Sequence, residues 1–82
     1  GRFSIYDNTA SAERLSIDAS GYVGINTATP SELLHVSGNN AEILIESTNG
    51  DAGALQLKNT EGHFSIYTNN GGLYVYDAED TV

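Results

Sequence analysis

Apolar and polar residues alternate along almost the whole chain. Segments such as Phe3-Ser4-Ile5-Tyr6 and Leu15-Ser16-Ile17-Asp18 have a period of two, which is typical of β-strands with one apolar face. Eight such segments recur about every ten residues, so the pattern predicts an all-β fold of short strands with tight turns. The apolar pairs that mark the predicted strands are Phe3/Ile5, Leu15/Ile17, Val23/Ile25, Leu34/Val36, Ile43/Ile45, Leu55/Leu57, Phe64/Ile66 and Leu73/Val75.

Turn-forming residues cluster between these predicted strands. Gly and Asn adopt the positive φ angles that tight turns need. The clusters are Asn8-Thr9, Asp18-Ala19-Ser20-Gly21, Gly38-Asn39-Asn40, Asn49-Gly50-Asp51, Asn59-Thr60-Glu61-Gly62 and Asn69-Asn70-Gly71-Gly72. A single helical turn is also predicted, because Thr29, Pro30 and Glu32 have the order of an N-cap, a first helical residue and an acidic third residue.

One segment of the sequence occurs twice. Residues 1–6 read GRFSIY and residues 62–67 read GHFSIY, at an offset of 61 residues. Downstream, LSIDA at 15–19 has a looser counterpart in LYVYDA at 73–78. Residues 1–82 are therefore interpreted as one segment with slightly more than one copy of a repeat of about 60 residues. Such repeats stack because no single copy buries its own apolar face.

The composition limits what this chain can do alone. Its 82 residues are too few for a large core, and there is no cysteine to form a disulfide, so oligomerisation is the expected source of stability. The net charge of −8 disfavours binding to nucleic acid or to an anionic membrane surface. No apolar stretch is long enough for a membrane span, and membrane insertion is not expected.

No group of residues has the spacing of a catalytic or cofactor site. Gly21, Gly24 and the pair Gly71-Gly72 do not follow the G-x-G-x-x-G pattern of a dinucleotide loop, so their predicted role is turn geometry. No Ser lies in a G-x-S-x-G sequence, and no Cys is present as a nucleophile. The sequence therefore predicts a protein that is not an enzyme and has no cofactor.

Metal binding stays open only as an alternative. His35 and His63 belong to no two-ligand motif, although a threefold axis would bring three copies of one His together. The acids of 77–80 and the turn 49–51 supply oxygen ligands for Ca²⁺ without the spacing of a calcium loop. Surface histidines and solvated turns are the preferred interpretation, so no metal site is predicted.

The tyrosines are the remaining candidate for recognition. All five are predicted on faces opposite the apolar residues, and Tyr74 and Tyr76 share one face of a predicted strand. Exposed Tyr rings stack on sugar rings, so these two residues are candidates for contact with a host glycan or receptor. Packing across strands or between subunits is the alternative.

A longer motif carries a resemblance to a known family. Residues 13–38, ERLSIDASGYVGINTATPSELLHVSG, resemble a module of bacteriophage tail fibres and related virion appendages. The usual form of that module is E-R-[ML]-x-I-D-x-S-G-x-V-G-I-G-T-x-x-P, followed by a short Leu/Val strand. Asn26 stands where the family has its second Gly, and we expect Asn to preserve the left-handed turn there. The residues that we name the turn signature are Asp18, Ser20, Gly21, Gly24 and Pro30.

The resemblance implies a function and an assembly. Fibres of this family are homotrimers with strands wound about a long axis, so it implies an elongated, intertwined or stacked homotrimeric β-fibre segment in the virion. The expected role is a shaft or spacer that adjoins other fibre domains and supports attachment to a host receptor. The residues expected to form a buried apolar stripe are Leu15, Ile17, Val23, Ile25, Leu34, Val36, Ile43, Ile45, Leu55, Leu57, Phe64, Ile66, Leu73 and Val75.

Two other readings of function stay open. One is a small carbohydrate-binding module in which Tyr74 and Tyr76 contact host glycans. The other is a repeat of a bacterial adhesin or cell-surface protein. The host, the receptor, and the pairing of strands within or between chains are not specified by the sequence.

Overall fold

Seven β-strands make up the regular structure of the chain, which we describe for residues 2–77 of a computed structural model. These residues form no helix, so the all-β prediction is confirmed. The strands are short, as the spacing of the turn residues predicts. They are β1 (Phe3–Asp7), β2 (Ala12–Ile17), β3 (Val23–Ile25), β4 (Leu34–Val36), β5 (Gly53–Lys58), β6 (His63–Asn69) and β7 (Gly72–Asp77).

The chain divides into two compact units between Glu42 and Ile43. Unit 1 contains a four-stranded sheet in the order β1-β2-β3-β4. Unit 2 contains a three-stranded sheet in the order β5-β6-β7. Each unit is described by itself below.

Unit 1 begins with an antiparallel hairpin. The β1–β2 loop is held by Asp7, whose Oδ1 accepts hydrogen bonds from the backbone N–H groups of Thr9 at 3.0 Å and Ala10 at 3.3 Å. A β-bulge follows, because Ile5 pairs with Leu15 while the next residue of β1 pairs with Glu13. The strand β3 continues the antiparallel sheet, and β4 is added parallel to β3.

The predicted helical turn at 29–32 is wrong. Residues 26–33 instead form an irregular connection between the parallel strands β3 and β4, without a helix. Side chains bind the backbone donors that a first helical turn would present: Thr29 N–H donates to Thr27 Oγ1 at 3.2 Å, and Ser31 N–H donates to His35 Nδ1 at 3.1 Å. Local bonds of this kind compete with helix formation.

Unit 2 is built from two antiparallel hairpins. In the β5–β6 loop, Asn59 Oδ1 accepts hydrogen bonds from the N–H groups of Glu61 and Gly62, both at 2.8 Å. The β6–β7 loop is the pair Asn70-Gly71, with φ angles of 51° and 80°. Two positive φ angles in a two-residue loop are typical of a type I′ turn, which favours Asn-Gly. The turns predicted at 59–62 and 69–72 are therefore confirmed.

The predicted strand at Ile43 and Ile45 is wrong. Residues 41–47 pair with no strand among residues 2–77, and Leu44 is 83% exposed. The run Ile43-Leu44-Ile45 is continuously apolar instead of alternating, so one face of a strand could not take all three side chains. The segment passes close to β5, since a Cβ on Gly53 would lie 2.8 Å from the Ile45 carbonyl oxygen.

Candidate functional site

The apolar side chains of unit 1 form one continuous face. Residues directly opposite each other in a sheet share a face, and the register gives two rows that cross all four strands. Five of these side chains are half-buried and three are exposed. The first row is Phe3, Ile17, Val23 and Leu34, and the second is Ile5, Leu15, Ile25 and Val36.

The polar face of unit 1 is covered instead. Ser16 is 0% exposed, and its Oγ donates a hydrogen bond to the carbonyl oxygen of Thr27 at 2.9 Å. Gly24 lies beside it in the sheet, and a Cβ there would be 2.3 Å from the same carbonyl oxygen. The 26–33 connection therefore lies directly on this face, with Pro30 buried in it.

In unit 2, too, the apolar face of the sheet is more exposed than the polar face. Along β6 the polar-face residues His63, Ser65 and Tyr67 are half-buried, while Phe64 and Ile66 on the apolar face are exposed. The apolar face extends across the sheet, because Ile66 pairs with Leu55 and Val75. No aliphatic or aromatic side chain among residues 2–77 is fully buried. Both sheets thus expose their apolar face more than their polar face.

These exposures bear on the expected apolar stripe. In the single chain its members are half-buried or exposed, so the chain does not bury the stripe by itself. Burial around an axis shared by several copies stays a prediction. Ile43 and Ile45 lie outside the sheets.

The turn signature has an architectural role in unit 1. Asp18 Oδ1 accepts hydrogen bonds from the N–H groups of Ser20 and Tyr22, both at 2.9 Å. Gly21 has a φ of 85°, and its N–H donates to the Asp18 carbonyl at 3.0 Å. With Gly24 in close contact with the connection, the predicted turn and close approach are confirmed.

Asn26 has the left-handed backbone that its place in the motif predicts. Its φ is 62°. Its N–H donates to the Arg14 carbonyl at 2.9 Å, and its Nδ2 donates to the Ser37 carbonyl at 3.0 Å. Asn26 therefore starts the connection at the end of β3 and bonds to both β2 and the residue after β4.

The tyrosines of unit 2 lie on its polar face. Tyr67 and Tyr74 are directly opposite each other and stack, with ring centroids 5.3 Å apart and planes at 21°. Cross-strand packing, the alternative to glycan contact, therefore describes Tyr74. Tyr76 lies on the same face opposite Ser65. Next to them, His63 Nε2 and Gln56 Oε1 are 2.8 Å apart.

The candidate metal ligands do not converge within residues 2–77, where no three His, Asp or Glu side chains form a group. His35 and His63 lie in different units and bond to Ser31 and Gln56. In the 49–51 turn, Asn49 Oδ1 accepts the Asp51 N–H at 2.8 Å. Of the acidic run at 77–80, only Asp77 lies within the described residues.

Two ion pairs order the surface of unit 1. The Arg14 guanidinium bonds to Asp7 Oδ2 at 3.1 and 3.2 Å, and Arg2 pairs with Glu13 and also donates to the Ala28 carbonyl at 3.0 Å. The hydrogen bond from the Ala10 N–H and the one from Arg14 lower the pKa of the Asp7 carboxyl below its ordinary value. Sequence reasoning missed these pairs, because their partners lie seven and eleven residues apart across a bulge.

Sequence reasoning also missed the complete burial of Ser16. Alternation places Ser16 on the polar face, which ordinarily faces water. The signal for its burial is indirect, because Gly24 pairs with it and a glycine inside a strand often indicates a close backbone approach.

One groove of unit 2 has a volume of about 590 Å³ and runs between residues 44–51 and the tip of the β6–β7 hairpin. Its lining combines Leu44 and Ile45 with glycines and small polar side chains, and its charged residues are Glu46 and Asp51.

Comparison with known family models and with curated protein sequences gives no match to this chain. Among residues 2–77 there is no helix that is long and apolar enough to cross a membrane.

Proposed function

We propose that this chain is a structural segment of a phage-type tail fibre, a homotrimeric β-shaft that holds a host-attachment domain away from the virion. The observation that carries the proposal is the polarity of the two sheets. A serine is the fully buried side chain of unit 1, while eight apolar side chains share its other face. An apolar face of this size on a soluble protein marks an interaction surface.

The energetics favour covering these faces. Burying an exposed Leu, Ile, Val or Phe side chain completely contributes about 1.5–3 kcal/mol. Since the side chains of unit 1 are partly exposed, covering them contributes on the order of 1 kcal/mol each. Several such contributions are a substantial gain for a chain of 82 residues that has no disulfide.

The turn signature supports the family part of the proposal. The glycine at 21, the asparagine at 26 and the close approach at Gly24 have the geometry that the D-x-S-G-x-V-G-I motif requires. These residues bond to the backbone of their own unit, so the motif acts as architecture. The threefold symmetry and the virion location rest on the resemblance. In this role the chain needs no cofactor, and its partners are two further copies and adjoining fibre domains.

The test is the mass in solution by light scattering, with Ile17→Asp as the disrupting variant. We expect about three times the chain mass of 8.7 kDa for the parent and the mass of one chain for Ile17→Asp. Ala19→Asp is the matched control, because it adds the same charge at an exposed residue of the turn after β2, outside the apolar face. A folded monomeric parent would contradict the proposal, as would a trimer that survives Ile17→Asp.

Glycan binding is a second candidate, favoured by the exposed rings of unit 2. Tyr76 is 56% and Tyr74 46% exposed, and they lie on one face with the hydrogen-bonding side chains of Gln56 and His63. A glycan array with the parent, Tyr74→Ala and Tyr76→Ala tests it. Binding by the parent that both variants lose would support a carbohydrate-binding module, and no binding by the parent favours the shaft alone.

A further inference from the structure

The repeated F-S-I-Y segment has two different environments. In unit 2 it forms most of β6, which has β5 on one edge and β7 on the other. In unit 1 it forms β1, which has β2 on one edge and no strand of residues 2–77 on the other. One sequence is thus an interior strand in one unit and an edge strand in the other.

The hydrogen bonds of unit 1 show which backbone groups lie on the open edge of β1. Asn26 N–H donates to the Arg14 carbonyl and Asp18 N–H to the Tyr22 carbonyl, so these residues of β2 and its extension bond toward β3. Backbone groups alternate in direction along a strand, so Leu15 and Ile17 bond toward β1. Their partners Ile5 and Phe3 point back toward β2, and Ser4 and Tyr6 therefore point to the open edge.

The same reasoning identifies the equivalent edge of β6. Asn59 N–H donates to the Gly62 carbonyl, which makes Phe64 and Ile66 bond toward β5. Ser65 and Tyr67 then bond toward β7. Ser4 and Tyr6 occupy the places of Ser65 and Tyr67 in the repeat, so the open edge of β1 corresponds to the edge of β6 that holds β7.

The side-chain exposures agree with a missing strand. On β6, with a neighbour on each edge, Phe64 is 42% and Ile66 is 37% exposed. On β1 the equivalent residues Phe3 and Ile5 are 59% and 53% exposed. A strand on the open edge would cover the flank of both side chains.

We propose that this edge of β1 binds the strand Leu73–Asp77 of a second copy of the chain, antiparallel and in the register of the β6–β7 pair. Ser4 would then lie opposite Tyr76, and Ile5 opposite Val75. The inference rests on the proposed self-association and specifies a strand contact within it. The repeat identifies the strand that would bind there, because in unit 2 the equivalent backbone groups of Ser65 and Tyr67 pair with β7.

The register also requires that β7 is exchanged between copies. The backbone groups of Tyr74 and Tyr76, which bond to β6, must bond to β1 if Val75 is to join Ile5 on the apolar face. Antiparallel pairing through the other edge of β7 would put Val75 opposite Ser4, on the polar face. Each copy then gives its β7 to the β1 edge of the next copy, so three copies can close a ring in which the open edge of each copy is on β6 in place of β1.

Disulfide trapping tests the register, since the chain has no cysteine of its own. Ile5→Cys and Val75→Cys chains, one of them carrying a mass tag, are mixed, dissociated, reassembled and oxidised. We expect a mixed disulfide, because the pair would be a non-hydrogen-bonded one with close Cα atoms. Ile5→Cys with Tyr76→Cys is the control, and we expect about tenfold less product there because the side chains lie on opposite faces. Equal yields, or no product for the first pair, would overturn the proposal.

Ser4→Pro tests the edge without disturbing the β1–β2 ladder. Proline removes an N–H that points to the open edge, and edge strands accept it there. We expect unchanged circular dichroism and about tenfold less of the 5–75 mixed disulfide. An undiminished yield would overturn the proposal. A trimeric parent without the 5–75 disulfide would overturn the strand contact and leave the shaft, whereas a monomeric parent would overturn both.

Discussion

Both units expose an apolar face, but they cover their polar faces in different ways. In unit 1 the 26–33 connection lies on the polar face and buries Ser16, with Gly24 leaving room for the backbone to approach. Within residues 43–77 of unit 2, no connection between two strands covers the polar face, which a tyrosine stack and hydrogen-bonded side chains occupy. The difference teaches that a small β-unit can fix its polar side with its own loop or side chains while its apolar side stays exposed.

The largest expected difference between the two units is in the stability lost when a glycine at a close backbone contact is replaced by alanine. Gly24→Ala places a methyl group 2.3 Å from the Thr27 carbonyl, so the connection must move. We expect a loss of about 2–3 kcal/mol in unit 1. Gly53→Ala meets the Ile45 carbonyl at 2.8 Å, but this segment belongs to no sheet and can shift, so we expect less than about 1 kcal/mol in unit 2.

Hydrogen exchange resolved to each unit measures this pair of variants. Gly50→Ala is the control, because its Cβ would meet nothing within 4 Å. Equal losses for Gly24→Ala and Gly53→Ala would mean that the 26–33 connection is no more fixed than the 41–47 segment.

A smaller loss of stability, equal in the two units, is expected when the glycines with a left-handed backbone are replaced by alanine. Gly21 in unit 1 and Gly71 in unit 2 have φ angles of 85° and 80°, with open space where a Cβ would lie. Alanine at either place costs about 1–2 kcal/mol through the backbone alone. Urea unfolding of Gly21→Ala and Gly71→Ala should therefore show losses that agree within about 0.5 kcal/mol. A much larger loss for one of them would reveal a packing role for that turn.

The smallest expected effect is a pH dependence confined to the β1–β2 hairpin. The hydrogen bond from Ala10 and then the one from Arg14 lower the pKa of Asp7 in the folded state. A lowered pKa stabilises the fold above the ordinary value of 3.8, and this contribution is lost as pH falls through the lower folded pKa. Amide chemical shifts followed from about pH 5 downward should show the β1–β2 loop loosening before the Asn70-Gly71 turn, which has no ionisable side chain. Asp7→Asn should remove the difference, and a persisting difference would contradict this role of Asp7.

Much of the fold follows from local chemistry. Alternation locates the seven strands and assigns their faces, and residues such as Gly21 and Asn70-Gly71 fix the turns through their φ angles. The motif also predicts the left-handed Asn26. These features depend on one residue and its immediate neighbours, so a sequence can reveal them.

The failures are features that depend on distant partners. Ile43 and Ile45 have strand-forming side chains, but no strand of residues 2–77 pairs with them. Thr29 and Pro30 suit a helix start, yet the N–H groups of the segment bond to Thr27 and His35. Ser16 is buried by a connection that begins ten residues later. The edge through which the F-S-I-Y strand bonds to the strand that follows it depends on loop length and on a bulge. The two copies of the segment use opposite edges for this pairing.

The tyrosine stack gives unit 2 an optical label of its own. The chain has no tryptophan, so its near-ultraviolet signal comes from tyrosine with a minor contribution from phenylalanine. Two rings 5.3 Å apart with planes at 21° couple their electronic transitions, and this coupling disappears when β6 and β7 separate. Part of the near-ultraviolet circular dichroism therefore reports the opening of this hairpin, alongside the signals of Tyr6, Tyr22 and Tyr76.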